Sequence, residues 1–240
     1  MDSLSTAGYA RVHGTPGERP KLAGLMRATW PLLAATGAFG YLLRAALPAP
    51  PLTRSAAGFL LLLLAVALAA VVGAARIRLS DFLKGARGEE QVARELMFLP
   101  AGFVIFNGLS PAGRGGDFDH VVVGPPGVFL VETKNWAGKI TVEHGRVLYN
   151  GEEPDRPPLE QVKSAARALT SIIREAAGRE LHVTPILCFA ADSLAEDNAG
   201  VEGVVICNLR GLARSIRQSY EAPLTADTVS HIESALKKTC

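Results

Sequence analysis

The sequence has little cysteine, and the cysteines it has are scattered. Cys188, Cys207 and Cys240 lie far apart and form no CxxC pair. Disulfide frameworks and structural zinc sites need several such residues at defined spacings, so the sequence argues against both. Cys188 and Cys207 stand in apolar runs, where cysteine usually acts as a small buried side chain.

The sequence also lacks a strong excess of charge of either sign. Its 25 Lys and Arg against 23 Asp and Glu give a formal net charge of +2. Such a small excess does not by itself indicate nucleic-acid binding. The sequence has no internal repeat, and the segment GRGG at residues 113–116 does not match a P-loop. We therefore expect no nucleotide cofactor.

Hydrophobic residues, in contrast, make up 48% of the chain, and many stand in two long runs. Residues 58–75 carry no charge over 18 positions, just enough to cross roughly 30 Å of hydrocarbon at about 1.5 Å per residue. Residues 28–47 carry only Arg44, near the end of the run, where a long side chain reaches the interface. We predict two transmembrane helices joined by the proline-rich segment 48–55, and hence a lipid bilayer as a partner.

The flanking charges predict the orientation of this hairpin. Basic residues precede the first run and follow the second, whereas only Arg54 lies between them. By the positive-inside rule both termini are cytoplasmic, in a multi-pass protein. A cleaved signal peptide is the alternative for the first run, and the second run would then still leave the C-terminal part in the cytoplasm. Arg outnumbers Lys 18 to 7, which favours a bacterial inner membrane.

The composition divides the chain into three parts. We predict a flexible cytoplasmic tail over residues 1–24, the two spans within residues 25–78, and one α/β domain over residues 79–240. The elements predicted in this domain are a helix from Ser80 or Asp81 to about Leu99, strands at 103–107, 118–123, 128–131, 183–190 and 203–207, a hairpin at 140–149, and helices at 157–177, 209–220 and 225–238.

The segment GDFDHVVVGPPGVFLVETKN at residues 116–135 carries the candidate chemistry. Its two β-rich runs are joined by Gly-Pro-Pro-Gly, which predicts a hairpin. Side chains alternate along a strand, so Asp117 and Asp119 share one face, and Glu132 and Lys134 share one face of the neighbouring strand. Carboxylates and an ammonium group at one sheet edge are suited to hold a divalent cation and act on a phosphodiester.

Two helical residues add to this set. Glu89 lies on the same stripe as Val92 and Leu96, and a carboxylate aimed at a core is costly unless it is paired, protonated or bound to metal. Glu89 is therefore a candidate third acidic ligand. Alternatively, it is an acid near a helix N-terminus that the helix dipole favours. Gln161 shares a face with Ala165 and Leu169, so its amide projects toward the sheet or a cleft edge. A role in the site and a purely structural hydrogen bond are equally compatible with this position.

Three ordered blocks resemble the NERD (nuclease-related) domain, which is allied to the PD-(D/E)xK nuclease superfamily. They are KGARGEEQVAREL around Glu89, GGDFDHVVVGPPGVFLVETKNWAGKI from Gly115, and PPLEQVKSAARAL around Gln161. The resemblance extends over about residues 84–190. The resemblance implies a PD-(D/E)xK-like core, with a mixed central β-sheet flanked by helices. The domain would then follow the transmembrane hairpin and end in additional C-terminal helices.

The resemblance also implies residue roles. Glu89, Asp119 and Glu132 would bind Mg²⁺ or Mn²⁺, a cation that hard oxygen ligands suit. Asp119, Glu132 and Lys134 would be the catalytic residues, with Lys134 orienting the attacking water and offsetting charge on the phosphorane. Gln161 would steady metal, water or substrate.

Two further residues are auxiliary candidates. Asp117 is either an extra ligand or a turn cap before the strand. Arg114 stands among glycines, in either a phosphate-contacting loop or an ordinary surface loop. His120 projects to the face opposite Asp119, so we do not expect it to take part directly.

The leading hypothesis is a membrane-anchored, divalent-metal-dependent nuclease that hydrolyses DNA on the cytoplasmic side, with RNA left as an alternative substrate. A second hypothesis is a catalytically inactive, membrane-tethered module that binds nucleic acid or protein. A third is a structural membrane protein whose acidic residues are solvated turns.

Overall fold

The computed structural model describes residues 8–16, 18–46, 53–111, 117–191, 193–194, 199–218 and 223–238. The chain forms two compact units. One combines Met1–Glu18 with Gly85–Cys240, and the other is Arg19–Lys84. The first is a mixed α/β domain, and the second is helical.

Two long helices make up the helical unit. Helix α1 is Glu18–Ala46, and helix α2 is Arg54–Leu96, whose last turns belong to the α/β unit. Within the described residues, one segment, Arg54–Ala74, is long and apolar enough to cross a membrane, with a mean hydropathy of 2.7 and none of its apolar window buried. Core helices and signal sequences can pass the same test of length and composition. The first predicted span, residues 28–47, lies mostly in α1 and stays a prediction.

Helix α2 corrects one predicted boundary. The separate soluble helix beginning at Ser80 or Asp81 was wrong, because α2 continues unbroken through both residues. The nine residues from Arg76 to Lys84 contain neither proline nor glycine. Since nothing in this stretch stops a helix, Ser80 and Asp81 extend one instead of capping another.

The α/β unit is built on a seven-stranded mixed sheet with a separate two-stranded hairpin. The strands in chain order are β1 Arg11–His13, β2 Val104–Leu109, β3 Phe118–Gly124, β4 Gly127–Lys134, β5 Ile140–Glu143, β6 Arg146–Tyr149, β7 Val183–Phe189, β8 Ala199–Val201 and β9 Val204–Asn208. The order in the large sheet is β1-β2-β3-β4-β7-β9-β8, and β5 pairs with β6. Strands β3 and β4 are antiparallel, and β4 and β7 are parallel.

Helices cover both faces of the sheet. The remaining helices are α3 Pro158–Ala177, α4 Leu209–Arg217 and α5 Ala226–Lys238. Alternate residues of the central strands pack with α3 and α5 on one face, as Val121, Leu130 and Leu169 show. The other alternate set packs with the end of α2 and with α4, as Val131 and Leu96 show. A mixed α/β fold with a central sheet flanked by helices, as predicted, follows from this alternation.

The N-terminal segment departs from the flexible tail predicted for residues 1–24. Strand β1 pairs in parallel with β2, with Arg11 opposite Val104. The Glu233 carboxylate of α5 accepts hydrogen bonds from Arg11 at 2.8 Å and from Lys237 at 2.8 Å, and His13 Nε2 lies 2.8 Å from it. Burial alone would raise the pKa of Glu233, but these three partners outweigh burial and lower it to about 2. The strand is therefore held by both backbone and side-chain bonds.

Candidate active site

The β3–β4 hairpin brings the predicted strand residues together. His120 pairs with Val131 and Val121 with Leu130. Extending this antiparallel register by one residue sets Asp119 opposite Glu132. Paired residues project to the same face, and Lys134 follows Glu132 after one alternation. Asp119, Glu132 and Lys134 thus lie on the α3 side of the sheet, at the C-terminal end of β4.

A closed set of hydrogen bonds joins Glu132, Lys134 and Gln161, called here the carboxylate cluster. Lys134 Nζ donates to Glu132 Oε1 at 2.8 Å and to Gln161 Oε1 at 2.9 Å. Gln161 Nε2 donates to the same Glu132 oxygen at 2.7 Å. Glu132 is buried and Lys134 is half-buried, whereas Gln161 is exposed at the start of α3. Each member fixes the other two, because every pair is hydrogen bonded.

Asp119 lies beside this cluster and is held by the backbone of β4. The Thr133 N–H donates to Asp119 Oδ2 at 2.8 Å. Burial raises the pKa of Asp119 well above its ordinary value, and the negative charges of Glu132 and Glu89 raise it further. The Thr133 bond and the Lys134 charge act in the opposite direction but do not compensate. Negative charge therefore converges on Asp119 from two elements.

Glu89 reaches this region because of the glycine that precedes it. A Cβ at Gly88 would lie 2.7 Å from the Cβ of Asn135 and 3.4 Å from Cγ2 of Thr133. The missing side chain lets α2 approach the end of β4 closely. Glu89 is half-buried there, and its charge acts on Asp119. The inward orientation predicted from the apolar stripe of α2 agrees with this position.

The geometry unites residues from all three sequence blocks noted above. Residues 84–190 match the family model described as NERD, nuclease-related domain. Residues 84–190 are called here the NERD domain. No significant match was found among curated proteins or among solved structures. The family description associates the domain with nuclease-related function.

The NERD domain does not present a ready-made metal site among the residues that the structure describes. No three side chains of His, Cys, Asp or Glu are grouped there with the geometry of metal ligands. The carboxylate of Glu132 is instead turned to Lys134 and Gln161. The charges of Glu89 and Glu132 nevertheless both act on Asp119, and repulsion of this kind is relieved by a bound cation.

Asp117 and His120 have other partners than the carboxylate cluster. Asp117 is exposed and accepts a hydrogen bond from the Ser110 hydroxyl, as expected of a turn before a strand. Arg114 lies outside the described residues. His120 is fully buried on the α2 side of the sheet, with Nδ1 2.8 Å from Asn107 Oδ1. Burial lowers the pKa of His120 to about 3, so the ring is neutral and structural.

Two contributors to the site were missed by the sequence analysis. Gly88 carried a signal, because glycine inside a helix costs about 1 kcal/mol relative to alanine and its presence suggests a close approach. Thr133 carried none, because it contributes its backbone N–H, a group that every residue except proline has. Only the register of β3 against β4 shows that this N–H faces Asp119.

Proposed function

We propose that the protein is a membrane-anchored, divalent-metal-dependent nuclease of the PD-(D/E)xK type that hydrolyses DNA phosphodiester bonds. The observation that carries this proposal is the carboxylate cluster beside Asp119. In it an acid, a lysine and a glutamine from two elements are mutually hydrogen bonded, and a second acid has a raised pKa. A purely structural cluster gains nothing from gathering like charges.

Glu89, Asp119 and Glu132 would hold Mg²⁺ or Mn²⁺. Both hydrogen bonds to Glu132 end on Oε1, so a cation would bind through Oε2. Likewise Thr133 occupies Oδ2 of Asp119 and leaves Oδ1 for a ligand bond. Oxygen donors of this kind suit Mg²⁺. When bound, the ion would supply charge neutralisation at the phosphate and a more acidic water.

The residues of the chain itself position the reactants. The Lys134 ammonium, restrained by Glu132 and Gln161, is placed to donate to an attacking water or to a phosphate oxygen as negative charge develops. Gln161 is exposed, so it can exchange its present partners for substrate. Thr133 keeps the Asp119 carboxylate oriented during this exchange.

The cleavage test uses the full chain in detergent with labelled DNA and RNA of several forms, in Mg²⁺, in Mn²⁺ and in EDTA. Glu132→Gln and Lys134→Met should each lower metal-dependent cleavage on the order of 10²-fold or more, since aligned catalytic groups act as a unit. Glu160→Gln changes an exposed acid on the same helix as Gln161 and should leave cleavage unchanged. Equal cleavage by wild type and both site variants would refute the assignment.

The second candidate function is a NERD domain that binds nucleic acid without cleaving it. It is favoured by the engagement of Glu132 with Lys134 and Gln161 and by the absence of a three-ligand group among the described residues. This candidate predicts DNA binding in EDTA that Glu132→Gln does not weaken, together with no cleavage in either metal. Cleavage that is lost in Glu132→Gln would decide against it.

We further propose that α1 and α2 cross a bacterial inner membrane as a hairpin, with both termini in the cytoplasm. Strand β1 precedes both helices and pairs with β2, which follows them. One folded sheet lies on one side of a membrane, so the chain between β1 and β2 must cross an even number of times. If Arg54–Ala74 crosses, α1 must return the chain. Phe39 and Leu42 of α1 line an apolar groove together with Leu60 and Leu64 of α2, as a hairpin requires.

Cysteine labelling with a membrane-impermeant maleimide tests this topology in intact spheroplasts. With Cys240 changed to serine, Cys188 and Cys207 are buried and should stay unlabelled. Thr53→Cys, in the connection between the helices, should be labelled from outside. Glu143→Cys, in the NERD domain, should be labelled only after permeabilisation. Labelling of both positions from the same side would exclude a membrane-crossing hairpin.

A further inference from the structure

An aromatic pair adjoins the carboxylate cluster. Trp136 lies two residues after Lys134, just beyond the end of β4. Its ring lies 5.3 Å from that of Tyr149 on β6 and 5.7 Å from that of Phe189 on β7, measured between centroids. Phe189 is the sheet partner of Lys134. Trp136 therefore stands between the buried core and Tyr149, immediately beside the residues proposed to act on a phosphate.

Tyr149 is fixed in place although it is partly solvent-exposed. Its backbone N–H donates to the Glu152 carbonyl at 2.8 Å, and the next N–H, of Asn150, donates to the Lys139 carbonyl at 2.8 Å. A Cβ at Gly138 would lie 2.6 Å from Cε2 of Tyr149, so the loop after β4 is packed tightly against this ring. The hairpin β5–β6 thus holds the ring rigidly against the segment that carries Trp136.

Tyr149 is exposed, although most large hydrophobic side chains of the sheet and of the helices that follow it are buried. Among the described residues from Leu99 onward, it is the only large hydrophobic side chain with as much as 36% of its surface exposed. If the Tyr149 ring served only to attach the β5–β6 hairpin to the core, full burial of the ring would serve that purpose better. A rigid aromatic side chain that keeps a free surface beside a phosphate-directed cluster is instead suited to stack on a base.

The geometry points to the exposed ring of Tyr149, supported by Trp136 at an interplanar angle of 56°, as a stacking platform for an unpaired nucleobase, so that the substrate is single-stranded or locally unpaired nucleic acid. This inference rests on the proposed function, since it takes the carboxylate cluster as the phosphate site. Bases within a duplex already stack on their neighbours and offer no free face. Stacking is tolerant of sequence, because every base has a π-face. The site would therefore discriminate by strandedness, with little discrimination by sequence.

The intrinsic fluorescence of Trp136 provides a readout that does not depend on cleavage. The chain contains only one other tryptophan, Trp30, on α1, and Trp30→Phe leaves Trp136 as the sole emitter. The full chain in detergent and EDTA is titrated with a short oligothymidylate, with an abasic oligomer of equal phosphate number, and with a duplex. We expect the oligothymidylate to quench Trp136, and the abasic oligomer and the duplex to bind at least several-fold more weakly with little quenching.

Variants separate stacking from packing. Tyr149→Leu should weaken oligothymidylate binding roughly 5- to 150-fold, the range for loss of one base–aromatic stack, whereas Tyr149→Phe should retain it. Phe98→Leu removes an exposed ring next to the opposite end of the sheet and should change nothing. An unchanged urea midpoint in Tyr149→Leu verifies that the hairpin is folded. If that midpoint falls, Tyr149→Met serves in its place, because it keeps an apolar side chain without a ring, and its binding should be weakened in the same way.

The outcomes distinguish this inference from the nuclease assignment. Cleavage without base-dependent quenching, or binding of Tyr149→Leu equal to that of wild type, would overturn the platform and leave the nuclease intact. Base-dependent quenching without cleavage in any metal would support the platform and refute the nuclease. Equal quenching by the abasic oligomer would also overturn the platform, because only the phosphates would then be recognised.

Discussion

Two glycines on one helix allow a matched test of how α2 supports the site. Gly88 and Gly85 are one turn apart on α2, and alanine raises helix propensity by up to about 1 kcal/mol at either position. A Cβ at Gly85 meets nothing within 4 Å, whereas a Cβ at Gly88 lies 2.7 Å from the Cβ of Asn135. Because that atom is attached directly to the backbone, rotation of the Asn135 side chain cannot relieve the contact.

The expected magnitudes follow from this difference. Gly85→Ala should stabilise the protein by up to about 1 kcal/mol. Gly88→Ala gains the same propensity but forces α2 away from β4, at an overpacking cost of about 1–3 kcal/mol. The two variants should therefore differ in free energy of unfolding by about 1–3 kcal/mol. A displacement of about 1 Å at Glu89 would lower cleavage by as much as about 10²-fold in Gly88→Ala alone.

Urea unfolding of the full chain in detergent, followed by Trp136 emission in the Trp30→Phe background, measures the first difference. Cleavage of labelled single-stranded DNA in Mg²⁺ measures the second. If Gly88→Ala were as stable and as active as Gly85→Ala, the close approach of α2 to β4 would not exist in solution. The position assigned to Glu89 would then fail with it.

Three other predictions address the site and the pH dependence of stability. Gln161→Ala should lower cleavage about 10-fold and change the free energy of unfolding by less than about 1 kcal/mol, because the Gln161 side chain is exposed and Glu132 keeps its bond to Lys134, with Gln91→Ala as an inert control. Glu233 has a pKa of about 2 against the usual 4.5, so it contributes stability that is complete above pH 4.5 and lost as pH falls towards 2. Glu233→Gln should remove this acid-dependent loss and cost roughly 1–2 kcal/mol at pH 7 in urea unfolding, allowing for solvent screening of its partners. His120 has a pKa of about 3 against the usual 6.5, so its contribution to stability is complete above pH 6.5 and declines at lower pH. In urea unfolding, the free energy of unfolding of His120→Gln should therefore depend less on pH between pH 6.5 and about 4.

Much of the sheet could be predicted because local patterns decide it. The β3–β4 hairpin, the β5–β6 hairpin and the start of α3 at Pro158 were confirmed. Each of these elements is determined by residues close together in the sequence. Turn residues separate the β-rich runs of the hairpins, and a proline is favoured in the first turn of a helix. The shared face of Glu132 and Lys134 follows from the same alternation, and their direct hydrogen bond agrees with it.

The missed features depend on contacts between distant parts of the chain. Strand β1 has only three residues, and its pairing with Val104 spans more than 90 positions, so no local pattern marks it. Strand β8 is equally short and was also missed. The bond from Thr133 to Asp119 likewise needs the register of two strands. Residue types predicted which groups have the required chemistry, but only the pairing showed which of their oxygens are engaged.

The pairing of β1 with β2 also constrains how this protein can be shortened. A chain cut to begin at Leu79 would lose β1 and leave the N–H and C=O groups of β2 without their neighbour. Unpaired strand edges recruit other strands, so such a fragment is expected to self-associate. It would also release the Glu233 carboxylate from Arg11 and His13. A soluble version should therefore keep residues 8–16 and join them to Gly85 through a flexible linker that replaces α1 and the part of α2 before Gly85.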